Sequence, residues 1–273
     1  MKLTYDLLER VMGMDVFLTN TPGIGGTIRE RPEDFIVEEI QIDGSLASSR
    51  PIIKDMETTG DYFWIVLGKR GIDTETAISK LAKAIGIPRS YIQVAGLKDS
   101  RAVTYQFVSC YGIDEKRILS LPNTIDDRIS IGLVIKRPFP IRPGLLFGNR
   151  FTIVIRNIRL SIDVLNHRME MFLNEVEEYG GIPAFYGHQR FGTIRPNTHI
   201  IGYYIIKRDF RRAVEELITT IYPNESAQAR AAREEASEGN LERALELMPK
   251  SLTHERIVLR YLLRRPNDFV GAI

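Results

Sequence analysis

Residues 1–159 contain a series of segments whose hydrophobic pattern is typical of β-strands. Residues 62–67 are apolar throughout, which indicates a strand in the interior of a sheet. A shorter β-like run at residues 35–37 follows the turn-forming residues 31–34. The remaining β-like segments are residues 91–94, 104–111, 129–136 and 150–158. These segments predict a sheet as the core of this part of the chain.

One helix is predicted among these strands, at residues 73–85. Asp73 or Thr74 can cap its first turn, and Gly86 is suited to end it. Its predicted buried face consists of Ala77, Leu81 and Ala84, which recur with helical spacing.

Helical patterns dominate from about residue 160 onwards. Ser161 can cap a long amphipathic helix, which Gly180 and Gly181 can close. Its apolar side is expected to consist of Ile162, Leu165, Met169, Leu173 and Val176, and further helices are predicted at residues 199–207, 209–220, 226–239, 241–247 and 253–264. The fold class is therefore α+β, with a domain of strands and helices at residues 1–159 and a mainly helical domain at residues 160–273.

Composition narrows the classes of protein that this chain can belong to. Its 273 residues are 44% hydrophobic and 26% charged with a net charge of +2, which is ordinary for a globular protein. Cys110 is the single cysteine, so an internal disulfide and a multi-cysteine zinc site are excluded, and the four histidines are scattered. We therefore expect no metal, a reducing cytoplasmic location, no secretory leader and no membrane span. No Gly-x-Gly-x-x-Gly or Walker loop is present to bind a nucleotide cofactor.

The segment Gly96-Leu97-Lys98-Asp99 places two charged side chains directly after an apolar strand. Gly96 permits an unusual backbone angle there, and functional side chains are often displayed at strand ends. The alternative is a polar hairpin loop in which Asp99 forms an Asx turn. Spacing alone favours this alternative.

Residues 131–160 contain no acidic residue, although the chain has 35 of them. The basic residues there are Lys136, Arg137, Arg142, Arg150, Arg156 and Arg159, and Phe139, Phe147 and Phe151 lie between them. Basic residues beside aromatic rings suit a nucleic acid whose bases can stack. The alternative is a solvated sheet edge, where Lys and Arg discourage unwanted strand pairing. The pattern modestly favours nucleic acid.

Residues 182–199 are dense in glycine, aromatic and polar residues and have no clean period, so they predict a structured loop that leads into a helix. Gln189, Arg190 and Arg195 can bind a substrate from such a loop. Equally, the loop can simply dock the helical half of the chain against the first half. Composition leaves both interpretations open.

Four segments, taken together, resemble the TruD family of tRNA pseudouridine synthases, particularly its archaeal and eukaryotic-like members. They are Arg31-Pro32-Glu33-Asp34-Phe35, Gly96-Leu97-Lys98-Asp99 through Ala102-Val103-Thr104, Gly148-Asn149-Arg150-Phe151, and Phe185-Tyr186-Gly187-His188-Gln189-Arg190-Phe191-Gly192. They occur in family order, and the resemblance reverses the preference for a simple turn at Asp99. It implies a pseudouridine synthase catalytic domain, built on a mixed sheet, at residues 1–159 and a partial, mainly helical TruD-type insertion domain at residues 160–273.

The same resemblance implies roles for individual residues. Asp99 is expected to be the catalytic carboxylate, Phe151 to lie under the target uracil, and Asn149 to shape its pocket. Arg31 is the first candidate for a basic partner of Asp99 and Lys98 is the second. Gln189 and Arg190 are the expected substrate contacts in the second half of the chain.

The implied reaction is the isomerisation of uridine to pseudouridine in tRNA, at position 13 by family resemblance, with the uridine flipped out of its stack. It is redox-neutral and needs no cofactor or metal, and the expected partner is tRNA, bound by a monomer that contacts no membrane. Family members are usually longer than this chain. Two alternatives therefore remain: an inactive RNA-binding remnant, and a fragment that needs a second polypeptide to complete its fold.

Overall fold

The computed structural model describes residues 2–54 and 59–273. The described strands are β1 (Lys2–Leu3), β2 (Val16–Phe17), β3 (Phe35–Ile40), β4 (Tyr62–Arg70), β5 (Ile92–Val94), β6 (Val103–Tyr111), β7 (Thr124–Asp126), β8 (Ile129–Arg137) and β9 (Gly148–Ile153). The described α-helices are α1 (Leu7–Val11), α2 (Thr74–Ile85), α3 (Glu115–Leu119), α4 (Ile162–Glu178), α5 (His188–Phe191), α6 (Thr198–Ile206), α7 (Phe210–Ile218), α8 (Ala227–Ser237), α9 (Leu241–Leu247), α10 (Thr253–Arg264) and α11 (Phe269–Ala272).

The chain divides into two compact units. One unit contains Ile24–Ile162, and the other contains Asp163–Ile273 together with the described residues before Ile24. The division at residue 162 lies close to the predicted one at residue 159. The grouping of the N-terminal residues differs from that prediction, because the main-chain N–H groups of Asn20 and Thr21 donate to the Glu175 carboxylate in α4 at 2.6 and 2.9 Å.

The first unit is built on a mixed sheet with the strand order β7-β8-β4-β6-β3-β9, and β5 also pairs with β6. β3 and β6 are parallel, and the other pairs are antiparallel. β4 lies between β8 and β6, which confirms its predicted interior position. The α+β class is likewise confirmed.

Alternating side chains of β4 supply both faces of this sheet, as the pleat requires. Ile65 and Leu67 pack with α2 in one buried cluster, and Trp64 and Val66 pack with Phe107 in another. This two-sided burial explains why residues 62–67 are apolar without alternation.

Helix α2 has the predicted caps but a different apolar face. The Asp73 carboxylate accepts the Thr76 N–H, and Gly86 ends the helix with a φ of 81°. Ala77 and Leu81 are fully buried as predicted, whereas Ala84 is exposed. Its place on the buried face is taken by other residues, namely Thr74, Ile78, Ala82 and Ile85.

The second unit is mainly helical, and the predicted helices are present with ends shifted by one or a few residues. Its core packs α7, α8, α9, α10 and α11 around Val214, Ala232 and Leu259. Beside this core, Arg195 and Arg233 each form buried ion pairs with both Glu225 and Glu255, at distances of 2.7 to 3.5 Å. None of the helices in the described residues has the length and apolar character that a membrane span needs.

Several short elements were not predicted, among them α1, α3 and β7, because runs of three to five residues carry too little periodicity. Conversely, β9 ends at Ile153 rather than at residue 158. The apolar face predicted for α4 is also not buried: within the described part of the chain, α4 has no buried residue.

The α2 interface with the sheet should dominate the stability of the first unit. We expect Leu81→Ala to lower the free energy of unfolding by about 2–5 kcal/mol, since it opens a cavity at a fully buried position. Leu119→Ala, at a position 63% exposed, should change it by less than about 1 kcal/mol. Urea denaturation of both variants measures the difference, and equal effects would contradict this assignment of the core.

Candidate active site

The loop that carries Asp99 leaves the sheet at a fork, the place where β3 and β5 diverge along one edge of β6. β3 and β5 pair with the same edge of β6, β3 beside residues 103–105 and β5 beside residues 108–110, while β4 occupies the other edge. Residues 95–102 connect β5 to β6 at this opening. Ala95 and Ala102 are buried at the two ends of the loop, and Asp99 between them is partly exposed. The fold thus anchors both ends of the loop and presents a carboxylate.

Two residues of β6 lie in the opening of the fork without a neighbouring strand on that edge, Gln106 and Phe107. The Gln106 amide donates to the Gly96 carbonyl at 3.2 Å, and the Phe107 N–H donates to the Glu39 carboxylate at 3.3 Å. The Glu39 side chain therefore supplies a hydrogen bond that a strand would otherwise make, and the Gln106 side chain ties the loop to β6. Gly96 itself has no positive φ, so the unusual backbone angle expected there is absent.

Asp99 forms an ion pair with Arg29, whose Nη1 lies 3.3 Å from Oδ1. Both side chains are about one-third exposed, so the pair is reachable from solvent. Arg29 has a φ of 58°, a left-handed conformation that costs energy for a residue with a side chain. Such conformations persist where the surrounding structure holds them, and they concentrate at functional sites.

Two aromatic rings extend the site beyond Arg29. The Arg29 guanidinium lies 3.8 Å from the centroid of the Phe35 ring, a cation–π contact. Phe35 meets Phe151 edge-on at 5.8 Å between centroids. Phe35 is buried, whereas Phe151 is 52% exposed. Asp99, Arg29, Phe35 and Phe151 therefore form a continuous row that ends in an open aromatic face.

The pairing of β3 with β9 decides which side chains share this face. Val37 lies opposite Phe151 and Glu39 lies opposite Asn149. Because strand side chains alternate, Asn149 and Phe151 project on one side and Arg150 on the other. Arg150 instead pairs with Glu38 at 2.7 Å. The structure thus brings Asn149 and Phe151 together beside the Asp99 loop.

The expected basic partners of Asp99 are replaced by Arg29. Arg31 begins the 3₁₀ turn Pro32–Asp34, where its N–H donates to the Asp34 carboxylate at 3.0 Å. Lys98 points its ammonium group to Glu39, with 2.7 Å between Nζ and Oε2. Arg29 precedes the quoted motif by two residues and has no sequence signal of its own. Only the tertiary path of the chain brings it to Asp99.

The Lys98–Glu39 pair is buried behind the loop, with side chains 6% and 0% exposed. Burial raises the pKa of Glu39, and the nearby Lys98 ammonium opposes this effect. The other oxygen of Glu39 accepts a hydrogen bond from the Gln41 amide at 2.8 Å and one from the Phe107 N–H. Lys98 therefore anchors the loop in the fork instead of pairing with Asp99.

The candidates in residues 182–199 belong to the other unit. Gln189 and Arg190 lie on the short helix α5 and are exposed, with the Arg190 guanidinium 5.6 Å from the Tyr186 ring centroid. Arg195 is only 9% exposed, and it donates to the carbonyls of Leu217, Glu216 and Thr220. The substrate-binding interpretation of Arg195 is therefore wrong, because its hydrogen bonds hold helices together.

Metal-ligating side chains are not gathered at Asp99. Among the described residues, one group has ligand atoms within 4.8 Å of one another, namely Asp6, Glu9 and His188 in the helical unit. Exposed acidic groups often cluster in this way without an ion. Cys110 is buried in the sheet, and burial raises the pKa of its thiol to about 12, so it is unreactive.

The fork thus presents the Asp99 carboxylate with its arginine partner, and an open aromatic ring lies at the end of the same row of contacts. Comparison with known proteins places the chain in a family. The family model described as "tRNA pseudouridine synthase D (TruD)" matches residues 11–273, and the chain belongs to this family.

Individual relatives agree with this assignment. A Pyrobaculum islandicum protein named "Probable tRNA pseudouridine synthase D" is 38% identical over 94% of this chain, and a Methanosarcina barkeri protein of the same name is 34% identical over 97%. The crystal structure of a Methanosarcina mazei protein that also carries the name TruD matches all of this chain at 30% identity, with a TM-score of 0.82. The chain spans 58–59% of the length of these three proteins.

The buried Lys98–Glu39 pair predicts a strong thermodynamic coupling. We expect Lys98→Met to lower the free energy of unfolding by about 3–5 kcal/mol, because it leaves the Glu39 carboxylate buried without a cation. The double variant Lys98→Met/Glu39→Gln should regain most of this loss, since the glutamine carbonyl can still accept from Gln41 and Phe107. Urea denaturation of a double-mutant cycle measures the coupling, and additive single effects would refute it.

Proposed function

We propose that this chain isomerises uridine to pseudouridine in tRNA, at position 13, and that Asp99 is the catalytic carboxylate. Membership of the TruD family and the names of the relatives support this reaction. The single observation that carries the role of Asp99 is its ion pair with Arg29 beside the exposed ring of Phe151. The unit Ile24–Ile162 is then the catalytic domain, and the helical unit is the TruD-type insertion.

The reaction breaks the C1′–N1 bond of uridine, turns the uracil and joins its C5 to the same C1′. C5 loses its proton and N1 gains one, so atoms and electrons balance without an oxidant. A carboxylate can assist this chemistry by stabilising or trapping the sugar cation, or by attacking the base. Arg29 holds the Asp99 carboxylate in place for either route through their ion pair.

The target uridine must leave its stack to reach Asp99, which costs a few kcal/mol. Stacking of the uracil on the open face of Phe151 offsets part of that cost, and stacking of this kind contributes about 1–3 kcal/mol per base. Asn149 projects from the same strand on the same side as Phe151 and offers an amide to the edge of the base.

Contacts to the rest of the tRNA come from exposed basic and polar side chains. Arg31 is exposed in the first unit, and Gln189 and Arg190 are exposed on α5 in the other unit. Phosphate contacts of this type make affinity fall as salt rises. Action as a monomer in the cytoplasm, without cofactor or metal, remains part of this proposal.

Asp99→Asn tests the catalytic role directly. We expect it to abolish pseudouridine formation, because an amide can neither trap nor stabilise the sugar cation as a carboxylate does. Asp127→Asn, at a position 85% exposed whose carboxylate lies 3.9 Å from the guanidinium of its neighbour Arg128, should retain wild-type turnover. The measurement is chemical mapping of pseudouridine in tRNA at single-nucleotide resolution.

Two outcomes would contradict this proposal in different ways. Wild-type turnover by Asp99→Asn would remove Asp99 from the mechanism while leaving the isomerase assignment intact. Salt-sensitive tRNA binding by the wild-type chain without any product would instead indicate an RNA-binding module, a candidate that the basic and aromatic residues of 131–160 favour.

Arg29 should be required for turnover more than for binding. We expect Arg29→Met to lower kcat by about tenfold or more, because the loss of about 1.4 kcal/mol of electrostatic stabilisation slows a reaction tenfold. Arg29→Lys should restore part of the rate. Arg89→Met is a matched control, because Arg89 forms an ion pair with Glu75 at a similar exposure of 36%. Steady-state kinetics on tRNA measures each variant, and equal rates for the two methionine variants would exclude a role for Arg29.

A further inference from the structure

Lys69 is a charged residue near the end of the buried strand β4, and it is only 2% exposed. A buried ammonium group is costly unless its donors are paired. Lys69 satisfies this requirement with main-chain carbonyls only: its Nζ donates to Ile72 at 2.9 Å, to Lys98 at 3.2 Å and to Asp99 at 2.6 Å. Two of the three acceptors belong to the loop that presents the Asp99 carboxylate.

We propose that Lys69 is a positioning residue for Asp99, which holds the backbone of the loop so that the carboxylate keeps its place beside Arg29. The expected effect of Lys69 on turnover rests on the proposed function, whereas its expected effect on the structure of the loop does not. Lys69 acts through the carbonyl of Asp99 itself and touches no reacting atom, so it is not a catalytic residue in its own right.

Thr74 supports the same peptide from the first turn of α2. Its hydroxyl accepts the Lys98 N–H at 3.0 Å and lies 3.3 Å from the Lys98 carbonyl, to which it can donate. Thr74 is also only 2% exposed. The backbone of Lys98 is therefore held by two buried side chains, one from β4 and one from α2. The loop is fixed to the two elements that form the centre of the first unit.

The charge of Lys69 couples it to Asp99 beyond these hydrogen bonds. Burial lowers the pKa of Lys69 to about 8, while the carboxylates of Asp99 and Asp73 raise it and the Lys98 ammonium lowers it. These charged groups lie on the loop and on the cap of α2, and Lys98 is in turn neutralised by Glu39. Loss of the Asp99 charge should therefore lower the pKa of Lys69 further.

This arrangement predicts a direction for the pH dependence. Below pH 8 the ammonium has three N–H donors for three carbonyls, whereas above it the amine has two donors and a lone pair, to which a carbonyl has no hydrogen to donate. The loop then loses a hydrogen bond and its neighbouring positive charge. We expect the kcat of the wild-type chain to fall as the pH rises through about 8.

Three variants of the full chain test this role in turnover. Lys69→Met keeps a long side chain but removes the charge and donors, Lys69→Arg keeps a permanent charge, and Lys83→Met is the control at an exposed lysine of α2. We expect Lys69→Met to lower kcat by about tenfold or more with KM for tRNA changed by less than about twofold. Lys69→Arg should recover part of kcat, and neither Lys69 variant should show the fall near pH 8.

A second measurement does not depend on activity. Amide hydrogen exchange of residues 97–100 should be about tenfold faster or more in Lys69→Met than in the wild type, while amides of β4 and β6 keep their protection. Thr74→Val, which removes only the hydroxyl, should accelerate the same amides if Lys69→Met does not fold. Isotope-labelled lysine followed by NMR should show Lys69 titrating near pH 8, and at a lower pH in Asp99→Asn.

The two measurements separate the possible failures. A wild-type chain that forms no pseudouridine refutes the proposed function, whereas faster loop exchange in Lys69→Met still supports the positioning role. Unchanged loop exchange in Lys69→Met, or in Thr74→Val where the methionine variant does not fold, overturns the inference about Lys69. So does wild-type kcat with an unchanged alkaline fall in Lys69→Met.

Discussion

The fork in the sheet is the constraint on which the site depends. β6 pairs along its whole length with β4. Its other edge is shared by β3 and β5, so two residues of β6 have no strand beside them on that edge. Buried polar groups must find partners, and here they find Glu39 and the loop carbonyl of Gly96. The loop with Asp99 is thus part of the way in which the sheet satisfies its own hydrogen bonds.

Charge is distributed around this loop in two layers. Behind it, the buried Lys98 pairs with the Glu39 carboxylate, and the buried Lys69 donates hydrogen bonds to carbonyl groups. In front of it, Asp99 and Arg29 are partly open to solvent beside Phe151. Breaking the inner contacts would leave buried charges unpaired, which is costly. The proposed roles of Lys69 and Asp99 depend on this cost, since a reacting group must be held in a defined geometry.

The comparisons assign this chain to a family, and experiment can test the activity of the chain itself. The family model matches nearly all of the chain, and the fold agrees with the crystal structure of a related protein. The relatives are longer, since this chain spans only 58–59% of them. Turnover by the chain itself is consequently the observation that separates an isomerase from an RNA-binding module that retains the same loop.

The sequence by itself determined most of the secondary structure, the α+β class and the family, because hydrophobic periodicity, helix caps and short motifs are local properties. It also singled out Asp99 and Phe151, which now lie in one row of contacts. The tertiary structure alone decided the partners: Arg29 rather than Arg31 or Lys98 meets Asp99, Lys98 meets Glu39, and Arg195 is buried among helices. Ion pairs between distant segments depend on how the strands are ordered in space, and no local pattern contains that information.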